Sequence, residues 1–201
     1  MDTLREIGTG MLSNVIWVVA AFALIFVRDR RKRLQIDRCL RAYLLYLLRS
    51  TALVRNSVYP YMYLVRLRST EGTILTTLLE SLQDLAGRIL SQTQQMLVLV
   101  PNGRVQESIL GLYEEVIQFQ TMVSESRIAA HVIVGNPVEL VEPPRGGQEI
   151  ESYRRFAVAY VAAVRSILDA APAAVRAALP AGALTVLDQR TPLEGTFSAP
   201  Q

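Results

Sequence analysis

A single cysteine, Cys39, a single histidine, His131, and a single lysine, Lys32, stand among 201 residues. One cysteine excludes an intramolecular disulfide. With no Asn-x-Ser/Thr glycosylation acceptor either, the bulk of the chain fits a reducing compartment. One histidine and one cysteine, far apart in the chain, do not supply the usual ligand set of a zinc site, so no metal is expected. No Gly-x-x-x-x-Gly-Lys-Ser/Thr phosphate loop and no Gly-x-Gly-x-x-Gly turn is present, and no Gly-x-Ser-x-Gly nucleophile elbow. These absences leave no cofactor to expect and read as a non-enzymatic protein. The cations are almost all arginine, a bias that carries no function by itself.

What the chain has in plenty is apolar surface. Hydrophobic residues make up 51% of it and the mean hydropathy is +0.26, more than a small soluble core needs. From Ile7 to Val27 there is no charged residue, and the stretch from Val15 to Val27 is uniformly apolar. A helix of that length rises roughly 31 Å, the thickness of a bilayer's hydrocarbon. Residues 1–27 are therefore read as a short tip and one transmembrane helix. A cleaved signal peptide needs a basic start and a small-residue cleavage site. This chain has an acidic start and an apolar run that ends in Phe26-Val27-Arg28. Trp17 lies too deep in the run for a boundary role.

The net charge of +3 conceals a sharp segregation. Residues 1–27 carry −1, residues 28–68 carry +9, and residues 69–201 carry −5. The densest cations, Arg28, Arg30, Arg31, Lys32 and Arg33, immediately follow the apolar run. The positive-inside rule then leaves the N-terminus outside and the bulk of the chain cytoplasmic. Anionic headgroups are the expected partner of this cluster, at about 1 kcal/mol per cation. Nucleic acid is the less favoured polyanion, because lipid lies nearer.

The rest reads as all-α. Residues 28–68 form a basic juxtamembrane helix with a bend at Pro60. Leu34, Ile36, Leu40, Tyr43, Leu44, Leu47 and Leu48 are its apolar positions. Residues 69–180 form a bundle of roughly four helices with a linker at 132–148. Leu75, Leu78, Leu82, Leu85, Ile89 and Met96 make one heptad-like seam, with Gln92 at its missing position. After Pro101-Asn102-Gly103, Val105, Ile109, Leu112, Val116, Phe119 and Val123 make a second. Two matched helices joined by so short a turn predict an antiparallel hairpin. A helix over 149–170 and a short one after Pro172 follow, and residues 181–201 are expected to be loose.

One stretch, Arg127-Ile-Ala-Ala-His131, resembles the Arg…His motif of HEPN-type ribonucleases, in which four to six residues separate the pair. Here three apolar residues intervene. The resemblance implies a dimeric helical nuclease using Arg127 and His131; helix capping by two cations is the structural alternative. The expectation that follows best from the residues is a membrane-anchored helical protein acting by assembly, either as a scaffold for a protein partner or as a homo-oligomer. Gly10 and Asn14 are its candidate intramembrane contacts. An accessory subunit of a larger membrane complex is the further alternative.

Overall fold

The computed structural model describes residues 2–66, 72–101, 103–135 and 146–188. Their side chains are described from residue 21 onward, except at 66, 72–73, 128–135 and 146–147. Among the described residues there are six helices and no strand: α1 (Asp2–Arg66), α2 (Gly72–Leu99), α3 (Arg104–Gly135), α4 (Gly146–Ala170), α5 (Ala173–Ala177) and α6 (Ala181–Asp188). The chain divides into two compact units, Met1–Cys39 and Leu40–Gln201.

The first unit is helical from Asp2. Among the described residues no helix is long and apolar enough to cross a membrane. Of the expected span Ile7–Val27, only the end from Ala21 has described side chains. The fold by itself therefore does not show a membrane-spanning helix.

The second unit is a helical bundle. Gln106 donates to the Leu97 carbonyl and Arg127 to Gln83, so α2 and α3 run antiparallel, as their matched seams predict. Ser108 meets Ser166 and Ser126 meets Glu149, which makes α4 antiparallel to α3. Ser50 meets Tyr160 and Tyr61 meets Glu149, which makes the part of α1 from Leu40 onward antiparallel to α4. The bond from Tyr43 to Thr93 closes the ring back to α2. Every neighbour is antiparallel, the arrangement that short connections favour.

The core follows the apolar stripes with a correction to one register. In α3, Ile109, Leu112, Val116, Phe119 and Val123 are buried. In α2 the buried set is Leu79, Leu82, Leu85, Ala86, Ile89, Thr93 and Met96, with Val100 buried just beyond its end. Leu75 and Leu78 are half-buried and Gln92 is exposed. The polar member of that seam is thus Thr93, whose short side chain hydrogen-bonds within the interface where a glutamine would have to be desolvated. Phe119 and Phe156 stack at 3.7 Å between ring centres, and Tyr153 meets Phe119 edge-on at 5.7 Å.

Helix α1 continues through Pro60, which is exposed and so leaves the unpaired carbonyl one turn back to water. Two boundaries differ from expectation. Helix α3 continues to Gly135, into the stretch expected to be linker; residues 136–145 lie outside the described ones. Residues 181–188, expected to be loose, form α6, while 189–201 lie outside the described residues. Two arginines hold the end of α6. Arg55 donates to the Val186 carbonyl at 2.7 Å, and Arg165 donates to the Leu187 carbonyl and the Asp188 carboxylate, both at 2.8 Å. Carbonyls left open at a helix C-terminus attract such donors.

Candidate functional site

Helix α1 carries an unusual surface in the first unit. Every residue from Ala21 to Gln35 is exposed. Phe22 is 69% exposed, Leu24 72% and Phe26 68%, with Ile25 and Val27 also open. Successive residues on a helix point in different directions, so these side chains clothe it all round instead of forming one core-facing stripe. Covering a side chain of this kind is worth about 1.5–3 kcal/mol. Five large apolar side chains within six residues thus stand uncovered among the described residues.

The apolar run stops at Val27, and Arg28, Arg30, Arg31, Lys32 and Arg33 follow at once, all exposed. Asp29 is the acidic residue among them. Charge and apolarity thus change over within one helical turn. Gly10 and Asn14 lie in α1 with their side chains outside the described residues.

The candidate nuclease residues sit elsewhere, in the second unit. Arg127 does not end its helix, because α3 runs on to Gly135, so it has no open helix terminus to cap. Its guanidinium donates to Gln83 Oε1 at 2.8 Å and lies 3.8 Å from Glu80. It lines an open groove of about 910 Å³ between α2 and α3, with Glu80, Asp84, Gly87 and Arg88. The groove carries two carboxylates and two guanidinia, a balanced set that attracts neither sign. The side chain of His131 lies outside the described residues, and so does the geometry of the pair. Among the described residues no group of three His, Cys, Asp or Glu side chains could hold a metal ion.

Hydroxyl pairs inside the bundle were not legible as a set. Thr93 Oγ1 gives its proton to the Ile89 carbonyl at 2.7 Å and receives one from the Tyr43 hydroxyl at 2.9 Å. Ser50 Oγ donates to the Leu47 carbonyl at 2.9 Å, so the Tyr160 hydroxyl, 2.6 Å away, is the donor of that pair. Glu149 Oε1 accepts from Tyr61 and from Ser126, each at 2.6 Å, tying α1, α3 and α4 together. The Tyr153 hydroxyl is buried beside them without a bonding partner among the described residues.

Burial raises the pKa of Tyr43, Tyr61, Tyr153 and Tyr160 far above the ordinary phenol range. For Tyr61, the neighbouring Tyr153 and the bond to the Glu149 carboxylate push in the same direction. For Tyr153, the nearby Ser126 hydroxyl opposes the rise in part. These phenols stay neutral near pH 7. Neutral phenols at helix interfaces act as directional donors, not as acids or bases. The one hint in the sequence is that Tyr43 with Thr93, and Tyr160 with Ser50, stand inside otherwise apolar stripes. No protein-family model matches this chain, and no curated protein or solved structure is found to be similar to it.

Proposed function

We propose that this protein is held in a membrane by residues 7–27 and works without catalysis, by presenting its helical bundle for assembly at the cytoplasmic face. The observation that carries this reading is the run of exposed apolar side chains from Phe22 to Val27, ended by the exposed cluster Arg28, Arg30, Arg31, Lys32 and Arg33. Water disfavours the first part and anionic headgroups favour the second. A lipid boundary offers both media at that spacing. The uncharged segment upstream, back to Ile7, has the length the hydrocarbon requires. Gly10 and Asn14 in its first half allow close helix approach and an interhelical hydrogen bond, the chemistry of intramembrane self-association.

The assembly is either a homo-oligomer or a complex with a cytoplasmic protein partner. The polar networks of the bundle support a scaffold: they fix helix register.

The test is an alkaline carbonate wash of membranes from cells making the full chain. The protein is expected in the pellet. The triple variant Phe22→Asp, Leu24→Asp, Phe26→Asp is expected in the wash. An aspartate costs about 2.5–3.5 kcal/mol at a helix centre and less toward its end, and the three together also remove three of the largest apolar side chains of the run. Recovery of the unaltered protein in the wash would refute the anchor. If it stays in the pellet, its mass in mild detergent, with and without Asn14→Leu, separates a self-assembled oligomer from a complex with a foreign chain.

A further inference from the structure

The turn between α2 and α3 carries apolar side chains where a solvated helical hairpin would carry polar ones. Val98 is 84% exposed and Leu99 47%, and Pro101 is exposed as well. Val100 between them is buried, so the backbone that presents them is fixed. The turn closes at Gly103, whose φ of +153° disfavours an L side chain and whose carbonyl accepts the Glu107 N–H of α3.

Its place in the second unit follows from the hydrogen bonds. Tyr43 of α1 bonds to Thr93 of α2, and the two helices are antiparallel. From Thr93 the chain advances about 12 Å to Pro101, whereas from Tyr43 back to Leu40 is about 4.5 Å. The turn therefore projects roughly 7 Å beyond Leu40 along the bundle axis. It lies at the end at which the chain enters this unit and α4 finishes. Arg41 and Arg104 are exposed at the same end, with Glu107 exposed one turn further in.

Leu40 follows Arg33 by so few residues that the two can lie at most about 25 Å apart. We propose that Val98, Leu99 and Pro101 are a second lipid contact, seated among the headgroups of the same membrane, with Arg104 and Arg41 against the phosphates. This rests on the membrane reading above. Shallow burial of the three side chains and attraction of the two guanidinia to anionic lipid both favour it. The contact would hold the bundle end against the bilayer and restrict its tilt.

The experiment uses the full chain with Cys39→Ser and Val98→Cys, labelled at the new thiol with a polarity-sensitive fluorophore. It is reconstituted in phosphatidylcholine–phosphatidylserine vesicles, with and without lipids carrying a quencher at the headgroup. A second preparation carries the label at Glu125→Cys, an exposed position toward the other end of α3. The expected result is a blue-shifted, lipid-quenched label at position 98 and a water-like, unquenched one at 125. A water-like label at 98, in vesicles that retain the protein through a carbonate wash, overturns the contact and leaves the anchor standing. Failure of the protein to be retained overturns both. A blue shift at 98 that persists in detergent without vesicles and grows with protein concentration shows a second copy on the turn and likewise overturns the lipid contact.

Discussion

Tyr43 and Tyr160 each give their proton to a hydroxyl whose own proton goes to a carbonyl of its own helix. The acceptor in each pair is satisfied without the tyrosine, but the buried tyrosine is not satisfied without the acceptor. Thr93→Val keeps the shape and strands the Tyr43 hydroxyl, so it should destabilise the bundle by about 1–3 kcal/mol. Tyr43→Phe should cost about 1 kcal/mol, and the double variant less than the two together. Denaturant midpoints of the four proteins check this, and strict additivity would show the bond to be idle. The four buried phenols also set an alkaline limit. In the unfolded chain a tyrosine ionises near pH 10. In the fold, burial raises that value, so above pH 10 the unfolded state releases protons that the folded state keeps. Their contribution is complete below pH 10 and falls as pH rises, by up to about 1.4 kcal/mol per pH unit for each fully raised tyrosine. Helix content and phenolate absorbance should then change together in one cooperative step. Gradual ionisation with the helix intact would contradict the burial.

At the scale of elements, α1 tests how far a stripe can override a breaker. Pro60 removes one backbone donor, yet α1 continues to Arg66 because Val58, Tyr61 and Met62 bury against the bundle around it. Pro60→Ala restores a hydrogen bond on the solvent side and removes the ring's clash, so it should stabilise the bundle by about 1–3 kcal/mol. A rise in the denaturant midpoint is expected, and a fall would mean that the proline's local geometry is needed for packing. Helix α6 shows the opposite case. Its local sequence, with Gly182 and only eight residues, gives little intrinsic helicity. It is held by burial of Leu187 and by the arginine donors at its end.

At the scale of the whole molecule, the segregation of charge sets the expected orientation. Changing Arg28, Arg30, Arg31, Lys32 and Arg33 together to Gln removes the cations nearest the apolar run and leaves its length untouched. The chain should still resist a carbonate wash, but a fraction should place the bundle on the opposite face. Protease added to sealed native vesicles reads this directly. Unchanged protection would assign orientation to residues further along, such as Arg38 and Arg41.

The sequence by itself determined the helical class, the α2–α3 hairpin and the apolar-to-basic border, because each is written as a local period or a local charge change. Ile109, Leu112, Val116, Phe119 and Val123 went to the core as their spacing required. Tertiary structure alone decided which of two adjacent positions faced inward, Leu79 over Leu78 and Thr93 over Gln92. One residue is a rotation of about 100° on a helix, and the partners' shapes select between such neighbours. It also decided the roles of Arg127, Tyr61 and Glu149. Their partners are distant in sequence, and no local pattern records which side chains a bundle brings within hydrogen-bonding distance.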